Sequence, residues 1–244
     1  MRILVISDIH ANSTALEAVL KDARSFDQVW CLGDVVGYGP QPNECIERLK
    51  ELEPVCLAGN HDVTTIGKAE ISEFSKDAQE VILWTRQQLK RENFDWLRAL
   101  PETPRVMENN ITIVHASLRD PLWEYVTDIS IAKGNLELSQ TPICFNGHTH
   151  FPMIFRKRWD EWQILDEYPR TNSPIALTPD RMLINPGSVG QPRDEDPRAA
   201  YAILDTQTMT YTQYRVLYDV AYVQGLMKKA RFSNRLIRRL RFGQ

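Results

Sequence analysis

Cysteine is scarce in this 244-residue sequence, which has four cysteines and no C-x-x-C pair. Three of them, Cys31, Cys56 and Cys144, fall within short apolar runs that are typical of buried strands. This pattern favours reduced cysteines in the core. It argues against a disulfide framework and against a thiolate metal site.

Long apolar runs are also missing, since none approaches the roughly 20 residues that span a bilayer. The first apolar run is a core strand that reaches a motif residue at Asp8, so we expect no signal peptide and a cytosolic protein without a membrane partner. The sequence shows no internal repeat, low-complexity tract or linker. We therefore expect a single domain over residues 1–244.

The net charge is only −3, but it is unevenly distributed. Residues 228–244 carry seven basic side chains and no acid, so the rest of the chain totals −10. A stable nucleic-acid binder would show a basic domain instead. We expect the basic segment to dock on the acidic body rather than on a membrane surface or nucleic acid.

Strands and helices alternate in the first part of the sequence. Residues 2–6 form an apolar run, and Thr14 and Glu17 have capping-box spacing, which predicts a helix start. Strands at 28–32 and 54–58 flank a second predicted helix at 43–50. Such alternation predicts β-α-β units, a parallel sheet and the α/β class.

The rest of the chain predicts helices in two segments over 71–100, a loop with a short helix over 116–140, and a helical region over 218–241. Its other apolar or alternating runs predict strands. These are 105–107, 111–114, 142–145, 153–158, 163–166, 182–184, 201–205 and 210–216, with turns between the later ones.

Five predicted strands end in polar residues of metal-binding type. Asp8 and His10 are two positions apart, so in an extended segment they point the same way. All five histidines of the sequence lie at such strand ends, where open α/β sheets bind their ligands. The residues are Asp8, His10, Asp34, Asn60, His61, His115, His148 and His150.

The ligand types point to transition-metal chemistry. Imidazole, carboxylate and amide oxygen suit Mn²⁺, iron, Zn²⁺, Co²⁺ or Ni²⁺. Even without His61, the seven other candidate ligands are too many for one ion but suit two ions bridged by one carboxylate, which can activate a shared water for phosphoryl displacement. Because Asp8 and Asp34 offset only part of the ionic charge, the site would stay cationic and attract a phosphate ester.

The five motif blocks resemble those of the calcineurin-like metallophosphoesterases, in the family's order. They are Asp8-Ile9-His10, Gly33-Asp34, Gly59-Asn60-His61-Asp62, His115 and Gly147-His148-Thr149-His150. The later Asn185-Pro186-Gly187-Ser188-Val189-Gly190 resembles a glycine-rich loop of the family's small bacterial and archaeal branch. The resemblance implies an α/β fold of two mixed β-sheets packed as a sandwich flanked by helices.

By this resemblance, Asp8, His10 and His150 hold one divalent ion, with Mn²⁺ the first candidate. Asn60, His115 and His148 hold the other, and Asp34 bridges the two. His61 then faces the scissile phosphate as general acid or charge stabiliser, with Asp62 as its orienting partner.

One departure narrows the function. The family's protein-phosphatase branch carries an Arg shortly after its Gly-Asp block, and residues 35–39 contain none. The family's DNA-repair nucleases are longer and carry an additional domain, so we expect this 244-residue chain to belong to another branch. We expect a small-molecule enzyme that acts on phosphodiesters or on nucleotide anhydrides such as diadenosine tetraphosphate. The alternatives are a phosphomonoesterase, a non-catalytic scaffold of the same fold, and a di-metal amide hydrolase, which the motifs do not resemble.

Two further features have open interpretations. Arg193 either contacts a substrate phosphate or forms a surface salt bridge with Asp194, Glu195 or Asp196. Trp123 and Tyr125, within residues 117–127, either stack on a substrate base or pack on the core or on another subunit of a homo-oligomer; we favour packing.

Overall fold

The computed structural model describes residues 1–158, 163–177 and 180–244. Short 3₁₀ turns lie at Ile71–Glu73 and Glu108–Asn110. The helices and strands run in the order β1 (Arg2–Ile6), α1 (Ser13–Ala23), β2 (Gln28–Cys31), α2 (Pro42–Glu51), β3 (Val55–Cys56), α3 (Asn60–Thr65), α4 (Lys76–Gln88), α5 (Arg91–Ala99), β4 (Arg105–Met107), β5 (Ile111–Ile113), α6 (Ile129–Leu138), β6 (Ile143–Phe145), β7 (Pro152–Lys157), β8 (Ile164–Glu167), β9 (Pro174–Ala176), β10 (Arg181–Pro186), β11 (Ala199–Asp205), β12 (Thr210–Val216), α7 (Val220–Lys229) and α8 (Asn234–Phe242).

The described strands form two mixed six-stranded sheets. The first has the order β3-β2-β1-β11-β12-β9 and the second the order β4-β5-β6-β10-β7-β8. In the first sheet β1 is parallel to β2 and antiparallel to β11, and in the second β6 is parallel to β5 and β10. The predicted fold of two mixed sheets with flanking helices is confirmed.

The core explains why β1 is apolar from Ile3 to Ile6. Ile3 and Val5 pack toward the second sheet, with Phe145 among their neighbours, whereas Leu4 and Ile6 pack toward α1 and α2. A strand covered on both faces needs apolar residues at every position. All four cysteines are buried and unpaired, as the sequence predicts.

The start of α1 differs from the prediction. Asn12 is the N-cap, and its side-chain oxygen accepts a hydrogen bond from the Ala15 N–H at 3.1 Å. The Thr14 hydroxyl instead donates to the side chain of Gln41 at 3.0 Å. The predicted Thr14 capping box is wrong because Asn caps a helix as well as Thr, and the chain enters the helix two residues earlier.

The predicted helical region at 218–241 is two helices, α7 and α8. Arg231 has a left-handed φ of 61°, and the Ser233 hydroxyl caps α8 by accepting from the Leu236 N–H. The sequence also failed to predict β9 and α3. The turn predicted between strands 153–158 and 163–166 lies at 159–162, outside the described residues. In the described ranges, no helix combines the length and the apolar character needed to cross a bilayer.

Candidate metal centre

The backbone at the strand ends is unusual. Asp8, His10, Asp34, His148 and His150 all have left-handed φ values, between 46° and 67°. Non-glycine residues rarely adopt this conformation, and it persists where the surrounding structure enforces it, often at functional sites. Asp8 and His10 therefore converge through a tight bend beyond β1, not through the extended spacing that the sequence suggested.

Backbone hydrogen bonds join these bends. The Asp8 N–H donates to the Gly33 carbonyl at 3.0 Å, and the His10 N–H donates to the Asp34 carbonyl at 2.9 Å. The His148 N–H donates to both carboxylate oxygens of Asp8, at 3.2 and 3.1 Å. The loops that follow β1, β2 and β6 thus form one connected edge, where the two sheets meet.

A first cluster contains Asp8, His10, Asp34 and His150, all buried, with one ligand-type atom of each within 4.8 Å of the others. The Nε2 atoms of His10 and His150 are 3.0 Å apart. His10 Nε2 lies 3.5 Å from Asp34 Oδ2, and His150 Nε2 lies 3.5 Å from Asp8 Oδ1. We call this the first cluster.

The protonation of its two rings follows from their other nitrogens. His10 Nδ1 faces the Val36 carbonyl at 3.2 Å, and His150 Nδ1 faces the Gln191 carbonyl at 2.6 Å. Because a carbonyl oxygen only accepts, each Nδ1 carries the proton and each Nε2 of a neutral ring presents a lone pair. Two lone pairs that face each other at hydrogen-bond distance repel unless a cation binds both.

A second cluster contains Asp34, His115 and His148. His115 Nδ1 donates to the Leu32 carbonyl at 3.0 Å, so its Nε2 is free to bind and lies 3.4 Å from the Asn60 side-chain oxygen. His148 Nε2 donates to the Trp123 carbonyl at 3.2 Å, which leaves Nδ1 as its ligand atom. We call this group, with Asn60, the second cluster.

Asp34 belongs to both clusters. Its Oδ1 accepts a hydrogen bond from the His61 N–H at 2.9 Å, whereas its Oδ2 is buried without a hydrogen-bond partner among the described residues. A buried carboxylate oxygen without a partner is costly. Since Oδ2 lies near His10 and His115, the arrangement fits a bridging carboxylate between two ions.

The pKa values of the site fit cation binding. Burial raises the pKa of Asp8 to about 7, and burial, together with the charges of Asp62 and Asp8, raises that of Asp34 well above its ordinary value. Burial lowers the pKa of His115 to about 4 and holds that of His150 well below its ordinary value. Neutral imidazoles can ligate an ion, and cations would offset the cost of burying the carboxylates.

His61 lies beside both clusters without joining either. Its ring centroid is 4.7 Å from that of His10, 4.6 Å from Tyr38 and 4.7 Å from Phe74. Its Nδ1 is buried without a hydrogen-bond partner in the described part of the chain. Burial, followed by the charge of Arg193, lowers the pKa of His61 well below its usual value.

Asp62 contacts the backbone rather than the His61 ring. Its carboxylate accepts hydrogen bonds from the N–H groups of Val35 at 3.1 Å, Val36 at 2.9 Å and Gly59 at 2.9 Å. Asp62 thereby ties the loop after Asp34 to the start of α3. Three backbone N–H groups donate to its two oxygens, and a direct orienting contact with the His61 ring stays a prediction.

Arg193 lies at the entrance to the site. Its guanidinium contacts the Gln191 side chain at 3.2 Å and lies 5.6 Å from the centroid of the Tyr38 ring. The predicted alternative, a surface salt bridge, is not formed among the described residues. Asp194 pairs with Arg215, and Asp196 pairs with Arg198 at 2.6 Å.

The sequence did not place Tyr38 at the site, and it favoured packing elsewhere for Trp123 and Tyr125. Tyr38 lies between Gly37 and Gly39, and a Cβ on Gly37 would come within 2.5 Å of His10 Nδ1, so only glycine lets this loop approach the ring. Tyr125 stacks on His148 with ring centroids 3.9 Å apart, and the Trp123 carbonyl holds the same histidine. The segment that contains Trp123 and Tyr125 thus lies against the metal site. For the loop that contains Tyr38, the two flanking glycines were the signal available in the sequence.

Two buried ligand clusters that share one carboxylate, at the edge where the two sheets meet, fit a binuclear metal centre. The sequence model of the calcineurin-like phosphoesterase superfamily domain matches residues 1–209, and the chain belongs to this family.

Individual relatives agree with this assignment. An uncharacterized protein of Methanocaldococcus jannaschii is 37% identical, with 99% of this chain and 98% of that protein covered. The crystal structure of a metallophosphoesterase from Sphaerobacter thermophilus has a TM-score of 0.90 and 42% identity, covering 100% of this chain and 99% of that one. A symmetrical bis(5'-nucleosyl)-tetraphosphatase of Nitrosococcus oceani is 32% identical over 140 residues, which is 54% of this chain and 49% of that enzyme.

Proposed function

We propose that the protein is a di-metal phosphoesterase that hydrolyses phosphodiesters or nucleotide phosphoanhydrides. The observation that carries the proposal is Asp34, whose Oδ2 has no hydrogen-bond partner in the described part of the chain and lies 3.5 Å from His10 Nε2 and 3.7 Å from His115 Nε2. In this proposal one ion, with Mn²⁺ the first candidate, binds Asp8, His10 and His150, and the other binds the second cluster. When bound, the two ions supply an activated water and stabilise the leaving oxygen.

The residues around the clusters have separate tasks in this proposal. His61, whose ring lies beside both clusters, stabilises charge on the transferring phosphate or, when its ring carries a second proton, protonates the leaving oxygen. Asp62 positions the loops that present Asp34 and His61. Arg193, which has no acidic partner among the described residues, contacts a phosphate oxygen of the substrate.

A cavity beside the second cluster supports a substrate with a planar group. It has a volume of about 370 Å³, and Tyr125, Phe151, Tyr168 and Arg193 are among its lining residues. Aromatic walls with one cation suit a nucleobase or an aryl leaving group next to a phosphate. The chain matches about half the length of the tetraphosphatase relatives, and their substrate class makes a nucleotide the first substrate to test.

The test is hydrolysis of bis-p-nitrophenyl phosphate with added Mn²⁺, followed by a panel of nucleotides and of phosphomonoesters. We expect turnover of the diester and close to two Mn²⁺ per chain by elemental analysis. Metal binding without turnover would favour the scaffold, and faster turnover of monoesters would favour a phosphomonoesterase. Saturation at one ion would contradict the bridged site.

The single domain, the cytosolic location, the lack of a membrane or nucleic-acid partner and the option of a homo-oligomer stay predictions from the sequence.

A further inference from the structure

The basic C-terminal helix docks beside the metal centre through an apolar face. Leu236, Ile237 and Leu240 of α8 are buried in a cluster that includes Val81 of α4, and Tyr38 packs against the same cluster. The expected docking of this segment therefore occurs through apolar contacts. The arginines of α8 occupy the rest of its surface.

Arg239 is the α8 arginine that turns toward the site. Its guanidinium carbon lies 5.8 Å from the centroid of the Tyr38 ring, and its Nε donates to the Gln244 backbone oxygen at 2.7 Å. Arg193 approaches the same ring from the metal-site loops, at 5.6 Å. The centroid of the Tyr38 ring is in turn 4.8 Å from that of His10 and 4.6 Å from that of His61, so both arginines contact a ring that itself lies against two histidines of the site.

Neither guanidinium group lies within ion-pair distance of an Asp or Glu side chain in the described ranges. Arg239 instead contacts the main-chain oxygen of Gln244, and the negative charge of Asp77 also acts on it. Burial and the positive charge of Arg193 lower the pKa of Arg239, which shows that the two groups repel each other. Two partly buried like charges on one ring are unfavourable unless an anion binds between or beside them.

The surface next to Arg239 is also positively charged. A cavity of about 760 Å³ is lined by Asn234, Arg235, Arg238, Arg239, Phe242 and Gln244, so its described lining holds three arginines and no acid. A planar guanidinium is well suited to phosphate oxygens. Arg239 thus lies against Tyr38 and also lines this basic cavity.

We propose that Arg193 and Arg239 form a second phosphate subsite, which makes phosphoanhydride chains the preferred substrates. This inference rests on the proposed phosphoesterase function. In the hydrolysis, a bond from water oxygen to the scissile phosphorus forms while the P–O bond of the P–O–P bridge breaks. The bridging oxygen keeps the electron pair of that bond and leaves as part of the phosphate held by the arginines. A proton of the attacking water is transferred to this leaving phosphate or to solvent.

The kinetic test compares Arg239→Gln with Arg241→Gln, which makes the same change in charge on the exposed side of α8, outside the cavity lining. Each is assayed with Mn²⁺ on diadenosine tetraphosphate and on bis-p-nitrophenyl phosphate, which has no second phosphate. We expect Arg239→Gln to lower kcat/KM on the tetraphosphate about tenfold or more beyond its effect on the diester, because charge-assisted hydrogen bonds are lost. Arg239→Lys should recover part of the loss, and Arg241→Gln should change neither activity. Equal losses on both substrates would overturn the subsite.

A binding measurement separates the subsite from the reaction. Calorimetry with imidodiphosphate and with inorganic phosphate, both with Mn²⁺, requires no turnover. We expect imidodiphosphate to bind more tightly than phosphate, and Arg239→Gln to remove about tenfold of that preference. If this holds while the diester is not hydrolysed, the subsite stands and the proposed function fails. If the diester is hydrolysed but the preference is absent or survives the substitution, the subsite fails alone.

Discussion

The two ligand clusters differ in charge and in how firmly their rings are held. The first has two carboxylates, Asp8 and Asp34, and its rings donate to the Val36 and Gln191 carbonyls of buried loops. The second shares Asp34 but adds only neutral ligands. Its His148 depends on the Trp123 carbonyl and on a stack with Tyr125, a residue that is 46% exposed.

This difference indicates two sites of unequal strength. More negative charge favours a divalent ion, and outer partners that fix a ring raise the affinity of a ligand. We infer that the first cluster retains its ion longer than the second when metal is withdrawn. Because both clusters share Asp34, a change at this residue affects both sites.

The largest effect is expected from Asp34→Asn. The amide carries no charge and cannot replace a carboxylate that serves both clusters, so both ions and all diesterase activity should be lost together. Elemental analysis and turnover of bis-p-nitrophenyl phosphate measure this, with Asp95→Asn, an exposed acid on α5, as the matched control. A variant that keeps two ions and near-native turnover would show that Asp34 is not the bridge.

His61→Ala should affect the reaction but neither cluster. Loss of a transition-state contact should reduce kcat more than it raises KM, by about 10²–10⁴-fold, with two ions retained. A smaller loss on p-nitrophenyl esters than on alkyl esters would identify a general acid, because p-nitrophenolate needs little protonation. Equal losses would leave charge stabilisation as its role, and the loss of an ion would move His61 among the ligands.

Tyr125→Ala should give the smallest and most selective change. Removing the ring that stacks on His148 should weaken Mn²⁺ binding at one of the two sites about tenfold, as expected for a partner that supports a ligand. Titration with Mn²⁺ would show two unequal binding steps in the native protein and a wider separation in the variant. Tyr125→Phe keeps the stack and should behave like the native protein; equal weakening of both steps would contradict the proposed asymmetry.

The residue patterns predicted the α/β class and grouped the ligand residues, and the family resemblance predicted the fold of two mixed sheets. A strand buried on both faces has a distinctive apolar run, and the scarcity of histidine made its recurrence at strand ends informative. The residues from Asp8 to His150 could therefore be grouped before their positions were known. Their distribution between two ions remained a proposal based on family resemblance.

The remaining features depend on contacts that local patterns do not encode. The left-handed conformations of Asp8 and His148 are enforced by loops from other strands, so nothing near them in sequence predicts them. The family resemblance placed Asp62 beside His61 as its orienting partner, but nothing in the sequence indicated that its carboxylate also accepts hydrogen bonds from the N–H groups of Val35 and Val36. Residues 117–127 have no clear periodicity, and their position depends on His148 and Phe74.

The carbonyl of Asp8 has a consequence for biosynthesis. It accepts hydrogen bonds from the Gly190 N–H at 3.0 Å and the Ser188 hydroxyl at 2.7 Å, and β1 gains its antiparallel neighbour only from β11. When residues 1–180 have left the ribosome, every proposed metal ligand has therefore been synthesised, but residues 188–190, which contact Asp8, have not. Contacts this distant along the chain form late. We expect metal to be captured after synthesis of most of the protein, and truncated chains to contain the motifs without a stable centre.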